Sequence, residues 1–224
     1  MMGTGSTGYA DLVAVSLEVA LMGFMFASIL AIPLGILCGR SKACMAVVNP
    51  LTRMLKAISP LGWFPVMAIV FGGLYGSHLL EASSERSFIR CAFTVTLCSL
   101  WPALAGTALG VASIEKGHID VARMLKLSMG TRLCRIVVPA ALPPIVDGQR
   151  LSMGIGWMMV VAAEMLARVP GLAGFAWDVL QKGGRAALPQ IAVAVVTIAG
   201  VGLLLDRVMV VLRRSVTYVP SRAA

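Results

Sequence analysis

The chain has 224 residues, of which 58% are hydrophobic and 13% are charged, and its formal net charge is +9 at pH 7. A soluble globular domain is about one-quarter charged, whereas this chain contains several nearly continuous apolar runs of about 18 residues or more, which can cross a bilayer as helices. These properties exclude a soluble domain and predict an all-α polytopic membrane protein. The runs also lack the two-residue alternation of a β-barrel strand.

The positive charge does not indicate a nucleic-acid partner, because Lys and Arg cluster between the apolar runs, as the positive-inside rule expects. The five cysteines have no CxxC spacing, and most of them lie within apolar runs. We therefore interpret the cysteines as small core residues. We expect membrane lipid around the protein, and no metal or cofactor within it.

Residues 1–11 precede the first apolar run without any Lys or Arg, so they do not form a signal peptide, and we predict an external segment. The first predicted span is Leu12–Leu37. Small residues recur in it at every fourth position, which allows a second helix to approach closely. These residues are Gly23, Ala27, Ala31 and Gly35.

The segment GRSKACMAVVNPLTRMLKAISP carries four basic residues and no acidic one, which predicts a cytoplasmic loop and an external N-terminus. The second predicted span, Leu61–Leu74, is short and begins among prolines and glycine. Such residues at membrane depth line a cavity or are buried in protein, so the segment is either a wall of a transport pathway or a kinked packing element. Its pathway candidates are Pro60, Trp63 and Pro65.

The third predicted span, about Phe88–Ala112, is more polar than the others and includes Trp101, a further pathway candidate. Its polar face indicates either a lumen or interhelical hydrogen bonds. The fourth predicted span, about Leu151–Ala167, contains the candidates Trp157 and Glu164. A carboxylate within a span is costly, so Glu164 is either a gate or interface residue, or a structural hydrogen-bond partner of a neighbouring helix.

The fifth predicted span, Gln190–Leu212, follows a second external loop, and residues 213–224 form a basic cytoplasmic tail. The sequence thus predicts a transmembrane domain of about five helices over residues 12–212. All the basic segments then lie on one side, with the N-terminus outside and the C-terminus in the cytoplasm.

The connector between the third and fourth spans, residues 113–150, carries six basic and three acidic residues and is predicted to be cytoplasmic. Asp120–Ser128 can form about two turns of amphipathic helix, and we expect a hard stop at Pro139. An exposed helix of this kind lies either in a groove of a partner protein or on lipid headgroups. The helix alone leaves both alternatives open.

This connector resembles the EAA loop of binding-protein-dependent ABC transporter permeases, whose pattern is Glu-Ala-Ala, three residues, Gly, nine residues, and Ile-x-Leu-Pro. Residues 120–122 match Glu-Ala-Ala, and residues 136–139 match Ile-x-Leu-Pro, both with conservative changes. The following PAALPPIVDGQRLSMGIGWMMVVAAEML is similar to the nitrate/sulfonate/taurine branch, whose members read close to PAALPxIxxGLRxxxGxxWxxxVAAEM. Lys126 occupies the position of the glycine in the family pattern, where glycine allows a bend between the two halves of the coupling segment. Lysine makes this bend costlier, unless Gly130 supplies it.

The resemblance implies a type I ABC importer permease (MetI-like) bundle with a cytoplasmic coupling helix, in a bacterial inner membrane, present as a homodimer or a pair of permeases. Members usually carry a sixth, N-terminal span, so either the start is truncated or that span is absent. A cytoplasmic ATP-binding subunit would dock on the connector. A periplasmic solute-binding protein would deliver a small anion: nitrate, bicarbonate, or a sulfonate such as taurine. The residues implied in coupling are Asp120, Val121, Ala122, Arg123, Leu125, Lys126, Gly130, Ile136 and Pro139.

Within that branch, Trp177-Asp178 and the GLLLDR run look more like nitrate and bicarbonate permeases than sulfonate permeases. The chain has no GxxxxGK[ST] phosphate loop, so we expect it not to be an enzyme and a partner to hydrolyse ATP. The alternative function is a non-transporting scaffold or assembly factor that keeps the permease fold.

Overall fold

The computed structural model describes residues 8–57, 62–63, 65–67, 69–70, 84–114, 124, 131, 137–167, 169–184 and 187–216. Within these ranges the regular elements are all helical. They are α1 (Tyr9–Arg40), α2 (Lys42–Ala57), α3 (Ser84–Ala112), α4 (Val138–Ala167), α5 (Leu172–Lys182) and α6 (Ala187–Val216).

Four helices among the described residues are long and apolar enough to cross a membrane: Tyr9–Arg40, Ser87–Ala112, Val138–Ala167 and Ala187–Val216. The predicted all-α, multi-pass membrane fold is therefore confirmed. Half of the predicted second span, Leu61–Leu74, lies outside the described residues. The parts of it that are described, residues 62–63, 65–67 and 69–70, are helical.

Helix α4 begins at Val138, well before the predicted start of the fourth span at Leu151. Pro139 lies in the first turn of α4. Residues 132–136, on which the expected hard stop at Pro139 depends, lie outside the described residues. A proline at the start of a helix removes an N–H that has no intrahelical partner there. Pro143 and Pro144 lie inside the helix, where each removes one helical hydrogen bond.

Burial within this start of α4 explains why the helix continues through the two prolines. Ala141 and Ile145 pack in one buried cluster with Val111 of α3 and with Val137. The apolar area buried at these positions favours the helical backbone, which a sequence rule that treats proline as a helix breaker does not consider.

The helices divide into two compact units. The first comprises Met1–Ala27, Ile58–Ser99 and Met153–Leu205. Its helices approach closely at glycines: a Cβ on Gly23 of α1 would lie 2.6 Å from Val95 Cγ1 of α3, and a Cβ on Gly202 of α6 would lie 2.9 Å from Trp157 Nε1 of α4. Close packing of a small residue of the predicted α1 stripe against another helix is confirmed here.

The second unit comprises Ser28–Ala57, Leu100–Ser152 and Asp206–Ala224. In it, Ala31 of α1 packs with Ala103 and Leu104 of α3. The α3–α4 crossing is a contact of two backbones, because a Cβ built on Gly106 would overlap the Cα of Gly148. Only glycine allows two helix backbones to come this close.

The four spanning helices differ in how much of their surface other helices cover. The most apolar window of Ser87–Ala112 is 61% buried, whereas that of Ala187–Val216 is 11% buried. The uncovered residues of α6 are large and apolar, including Leu188, Val196 and Leu203. In water such a surface would be unfavourable, so it requires lipid or another protein chain around it.

Candidate functional site

The N-terminus of α5 lies against α1 and α4, whose side chains bind its first N–H groups. The helix starts immediately after Pro170 and Gly171. Gly171 occupies the N-cap position and has no side chain to cap the helix. The first N–H groups of the helix are instead bound by side chains of other helices. The Leu172 N–H donates to Ser16 Oγ of α1 at 2.9 Å, and the Ala173 N–H donates to Glu164 Oε2 of α4 at 2.9 Å.

Glu164 and Ser16 are each 1% exposed. A carboxylate at a helix N-terminus interacts favourably with the helix dipole, and here the N–H groups that would otherwise be buried without partners are satisfied. A hydrogen bond to a neighbouring helix is one of the two roles that the sequence left open for Glu164. The other role, as a gate or interface residue, stays a prediction.

Glycine is required beside this carboxylate. A Cβ built on Gly171 would overlap the Glu164 carboxyl group, and a Cβ on Gly174 would overlap the Val169 carbonyl oxygen. The PGLAG sequence therefore allows α5 to start directly against α4. The sequence shows these glycines, but it does not show which side chain they make room for.

A cavity of about 170 Å³ lies beside Glu164 in the same unit, at the turn between α4 and α5. Among the residues that the structure describes, the Glu164 Oε1 atom has no hydrogen-bond partner, although Oε2 has one. A second carboxylate, that of the exposed Asp178, also lines the cavity. The remaining walls are apolar or aromatic and include Leu12, Pro170, Phe175 and Trp177. Sequence reasoning quoted Asp178 only as a branch signature and missed its position here.

The start of α1 is held against this part of the molecule by Tyr9. Its hydroxyl donates to Thr197 Oγ1 of α6 at 2.8 Å, and its ring meets Phe175 of α5 edge to face at a centroid distance of 6.2 Å. Sequence reasoning assigned Tyr9 to an external segment and gave it no role. An aromatic residue with a polar tip at the start of a span was the available signal.

Two of the tryptophan candidates have different surroundings. Trp157 is buried, and its Nε1 donates to the Ile198 carbonyl of α6 at 3.2 Å, so it links two helices of the first unit. Trp101 belongs to the second unit, is partly exposed, and has an Nε1 without a hydrogen-bond partner among the described residues. Both residues stay predicted pathway candidates.

The other predicted site residues are only partly described. Trp63 is half-buried and Pro65 is exposed, both in helical backbone, and Pro139 lies in the first turn of α4. The remaining candidates lie outside the described residues: Pro60, Asp120, Val121, Ala122, Arg123, Leu125, Lys126, Gly130 and Ile136.

Charged residues that sequence reasoning left unpaired join α4 to α6 in the second unit. Arg150 makes two hydrogen bonds to Asp206, from Nε to Oδ1 at 2.6 Å and from Nη2 to Oδ2 at 2.9 Å. Arg213 Nε lies 2.7 Å from Asp147 Oδ1. The residues forming these pairs alternate in sign along both helices, which fixes which residues of α4 and α6 face each other.

The turn between α1 and α2 brings two thiols together. The Sγ atoms of Cys38 and Cys44 are 2.7 Å apart, and both cysteines are free. Cys38 is buried, as a core residue would be, but Cys44 is partly exposed. Among the described residues, no group of three or more His, Cys, Asp or Glu side chains could hold a metal ion.

The fold and sequence match known transport proteins. Residues 31–218 match the family model described as "Binding-protein-dependent transport system inner membrane component". The structure resembles a chain of the MetNI methionine ABC transporter with a TM-score of 0.73, at 14% identity, covering 97% of this chain and 100% of that one. It also resembles a chain of an amino acid ABC transporter with a TM-score of 0.65 and 11% identity, covering 92% of this chain and 93% of that one.

Among curated proteins, the chain is 34% identical over 200 residues to the bicarbonate transport system permease protein CmpB of Synechococcus elongatus, covering 89% of this chain and 66% of that protein. It is 31% identical over 217 residues to the nitrate import permease protein NrtB of the same organism, covering 97% of this chain and 73% of that protein. The chain thus spans roughly two thirds of the length of the curated relatives it matches. From the extent of these matches, the chain belongs to the binding-protein-dependent ABC importer permease family and is similar to its nitrate and bicarbonate permeases.

Proposed function

We propose that the chain is a transmembrane subunit of an ABC importer and forms the translocation pathway for a small anion, nitrate or bicarbonate. The observation that carries this proposal is the family match over residues 31–218 together with the nitrate and bicarbonate permeases among the relatives. A sulfonate such as taurine is a less favoured substrate, because these two relatives name other anions. The alternative of a non-transporting scaffold receives no support from the relatives.

The proposed complex contains two permease chains, a separate cytoplasmic ATPase and a periplasmic solute-binding protein. The family description itself names dependence on a binding protein. A second permease chain would cover part of the apolar surface that α1 and α6 leave open, with lipid on the rest.

In this proposal the chain lies in a bacterial inner membrane with its N-terminus outside and its C-terminus in the cytoplasm. The positive charges at the ends of α1 (Arg40) and α6 (Arg213 and Arg214) support that orientation. The ATPase would dock on residues 120–139, and ATP binding would alter the start of α4 through its three prolines. Glu164, Trp157, Trp101 and the segment containing Trp63 and Pro65 remain pathway or gate candidates.

Reconstitution tests the proposed function. The chain, its ATPase and its solute-binding protein are placed in liposomes, and ATP hydrolysis and uptake of labelled nitrate or bicarbonate are measured in parallel. We expect the binding protein with its anion to stimulate hydrolysis, and one of the two anions to accumulate only with ATP. Liposomes without the binding protein are the control. A stable complex that neither hydrolyses ATP faster nor accumulates an anion would contradict transport and favour the scaffold.

A further inference from the structure

The cavity beside Glu164 combines three properties that together specify a ligand. Its volume of about 170 Å³ exceeds the roughly 30 Å³ that one water takes in the liquid. It carries two carboxylates, Glu164 and Asp178, of which the first is almost fully buried. Its other walls are apolar and aromatic. Such a site suits a group with a positively charged end and an apolar stem.

The carboxylate of Glu164 has capacity for another donor. Oε2 already accepts the Ala173 N–H, whereas Oε1 is buried and has no hydrogen-bond partner in the described part of the chain. A buried acceptor without a donor costs free energy. None of the ion pairs between described residues involves Glu164 or Asp178; both described pairs join α4 to α6 in the second unit.

The composition of the site excludes other ligand classes. The transported anion would be repelled by two carboxylates, so the cavity is not a substrate site for nitrate or bicarbonate. A resident metal ion usually needs more ligands than two carboxylates, and the described residues contain no group of three metal-binding side chains. An ammonium or guanidinium group carries the charge that these carboxylates attract, and its methylenes can pack on Phe175 and Trp177.

We propose that this cavity receives a lysine or arginine side chain of the solute-binding protein. This inference rests on the proposed function, which supplies the partner, and on the predicted external position of the segment between α4 and α6. Charge complementarity with the Glu164 and Asp178 carboxylates that line the cavity selects the cation. Because Glu164 also binds the N-terminus of α5, docking at the cavity contacts α4 and α5 together.

The first test titrates the solute-binding protein against the reconstituted permease–ATPase complex and measures the concentration that half-stimulates ATP hydrolysis. Asp178→Asn keeps the size of the side chain and removes its charge, and we expect it to raise that concentration about five- to tenfold, as for the loss of a partly exposed charge pair at an interface. Asp178→Lys should raise it further. Asp11→Asn is the matched control, because Asp11 is an exposed carboxylate of α1 that does not line the cavity.

A salt titration distinguishes a charge effect from a change of shape. Increasing ionic strength should weaken the stimulation of the wild type and of Asp11→Asn more steeply than that of Asp178→Asn. Salt screens the attraction between the Asp178 carboxylate and the cation of the partner, and the Asp178→Asn protein no longer has this attraction. Glu164→Gln keeps an acceptor for the Ala173 N–H and should shift half-stimulation in the same direction as Asp178→Asn.

A photocrosslinking amino acid incorporated in place of Asp178 then identifies the contact. We expect it to label a segment of the solute-binding protein that contains a lysine or arginine, and replacement of that residue by glutamate should be partly rescued by Asp178→Lys. If the wild-type complex is not stimulated at all, the proposed function fails. If it is stimulated but Asp178→Asn and Glu164→Gln behave like Asp11→Asn, or the crosslinker labels only lipid or the permease itself, the proposed cation site is wrong.

Discussion

Arg150 and Asp206 form a two-point ion pair that connects α4 to α6, with Nε–Oδ1 and Nη2–Oδ2 distances of 2.6 and 2.9 Å. Their side chains are 41% and 43% exposed, so solvent and salt screen the pair and its effect on stability is small. Its planar geometry nevertheless requires the two helices to meet in one register. Arg213 with Asp147 repeats the link with the charges reversed between the helices.

We predict that Asp206→Arg, which places two positive charges face to face, lowers the thermal unfolding temperature in detergent. The double variant Arg150→Asp/Asp206→Arg, in which the charges are exchanged, should recover most of the loss. The difference between the single and double variants should shrink in high salt. Equal unfolding temperatures for the single variant and the wild type would show that the pair does not fix the register.

The Glu164 cap gives a prediction about local stability. Glu164→Ala removes the acceptor of the buried Ala173 N–H, and an unsatisfied buried donor costs about 1–3 kcal/mol. We therefore expect faster hydrogen–deuterium exchange at the first turn of α5 in this variant. Glu164→Gln, which retains a carbonyl acceptor, should exchange nearly as slowly as the wild type. Equal protection of α5 in all three proteins would mean that the cap does not hold the helix.

The crossing of α3 and α4 predicts that alanine substitution destabilises the protein at one glycine of α4 and not at another. Gly148→Ala would place a methyl group against the backbone of Gly106, and the helices would have to separate. Gly154 has no heavy atom within 4 Å of the position a Cβ would take, so Gly154→Ala should be neutral or slightly stabilising because alanine has the higher helix propensity, by about 1 kcal/mol.

The measurement for this pair is the yield of monodisperse protein and its unfolding temperature in the same detergent. Gly148→Ala should lower both, and Gly154→Ala should lower neither. Tolerance of alanine at Gly148, with an unchanged unfolding temperature, would argue against the backbone contact.

The Cys38–Cys44 pair predicts easy formation of a disulfide under a thiol oxidant. Treatment with diamide transfers the two thiol hydrogens and their electrons to the reagent's azo bond, and the two Sγ atoms join. Because the sulfurs already lie 2.7 Å apart, little backbone movement is required. We expect both cysteines to become resistant to alkylation, and dithiothreitol to reverse the change, as read by mass spectrometry of the fragments.

The control for this reaction is Cys38→Ser, in which Cys44 should remain open to alkylation after diamide. A wild-type protein whose Cys44 stays fully alkylated after the same treatment would contradict the observed proximity of the two thiols.

The coupling segment gives a prediction that follows from the sequence and the family. Leu125→Asp places a charge on the predicted apolar face of the coupling helix, and Asp120→Lys reverses a charge at its start. Both should abolish binding-protein-stimulated ATP hydrolysis while membrane insertion and yield stay normal. Leu125→Met is the conservative control. Normal anion uptake in the Leu125→Asp protein would contradict docking of the ATPase on this helix.

The amino-acid sequence by itself determined the membrane class, three of the four candidate spans to within a few residues, and the family. Long apolar runs and the positions of basic residues are properties of the chain that act through the bilayer, so they can be predicted without tertiary contacts. The start of α4 could not be predicted this way, because burial of Ala141 and Ile145 outweighs the effect of Pro143 and Pro144, which would usually end a helix.

Only the tertiary structure decided which partners the polar residues take. Glu164 could be recognised as costly from the sequence, but its contact with the start of α5 depends on Gly171 leaving room for it. Asp178, Arg150 and Asp206 gave no distinct signal, because their partners or neighbours in space lie on other helices. The hydrophobicity of a segment depends only on its own residues and can therefore be predicted from the sequence. Hydrogen bonds and ion pairs depend on the distance between two segments, which is fixed only after the helices pack.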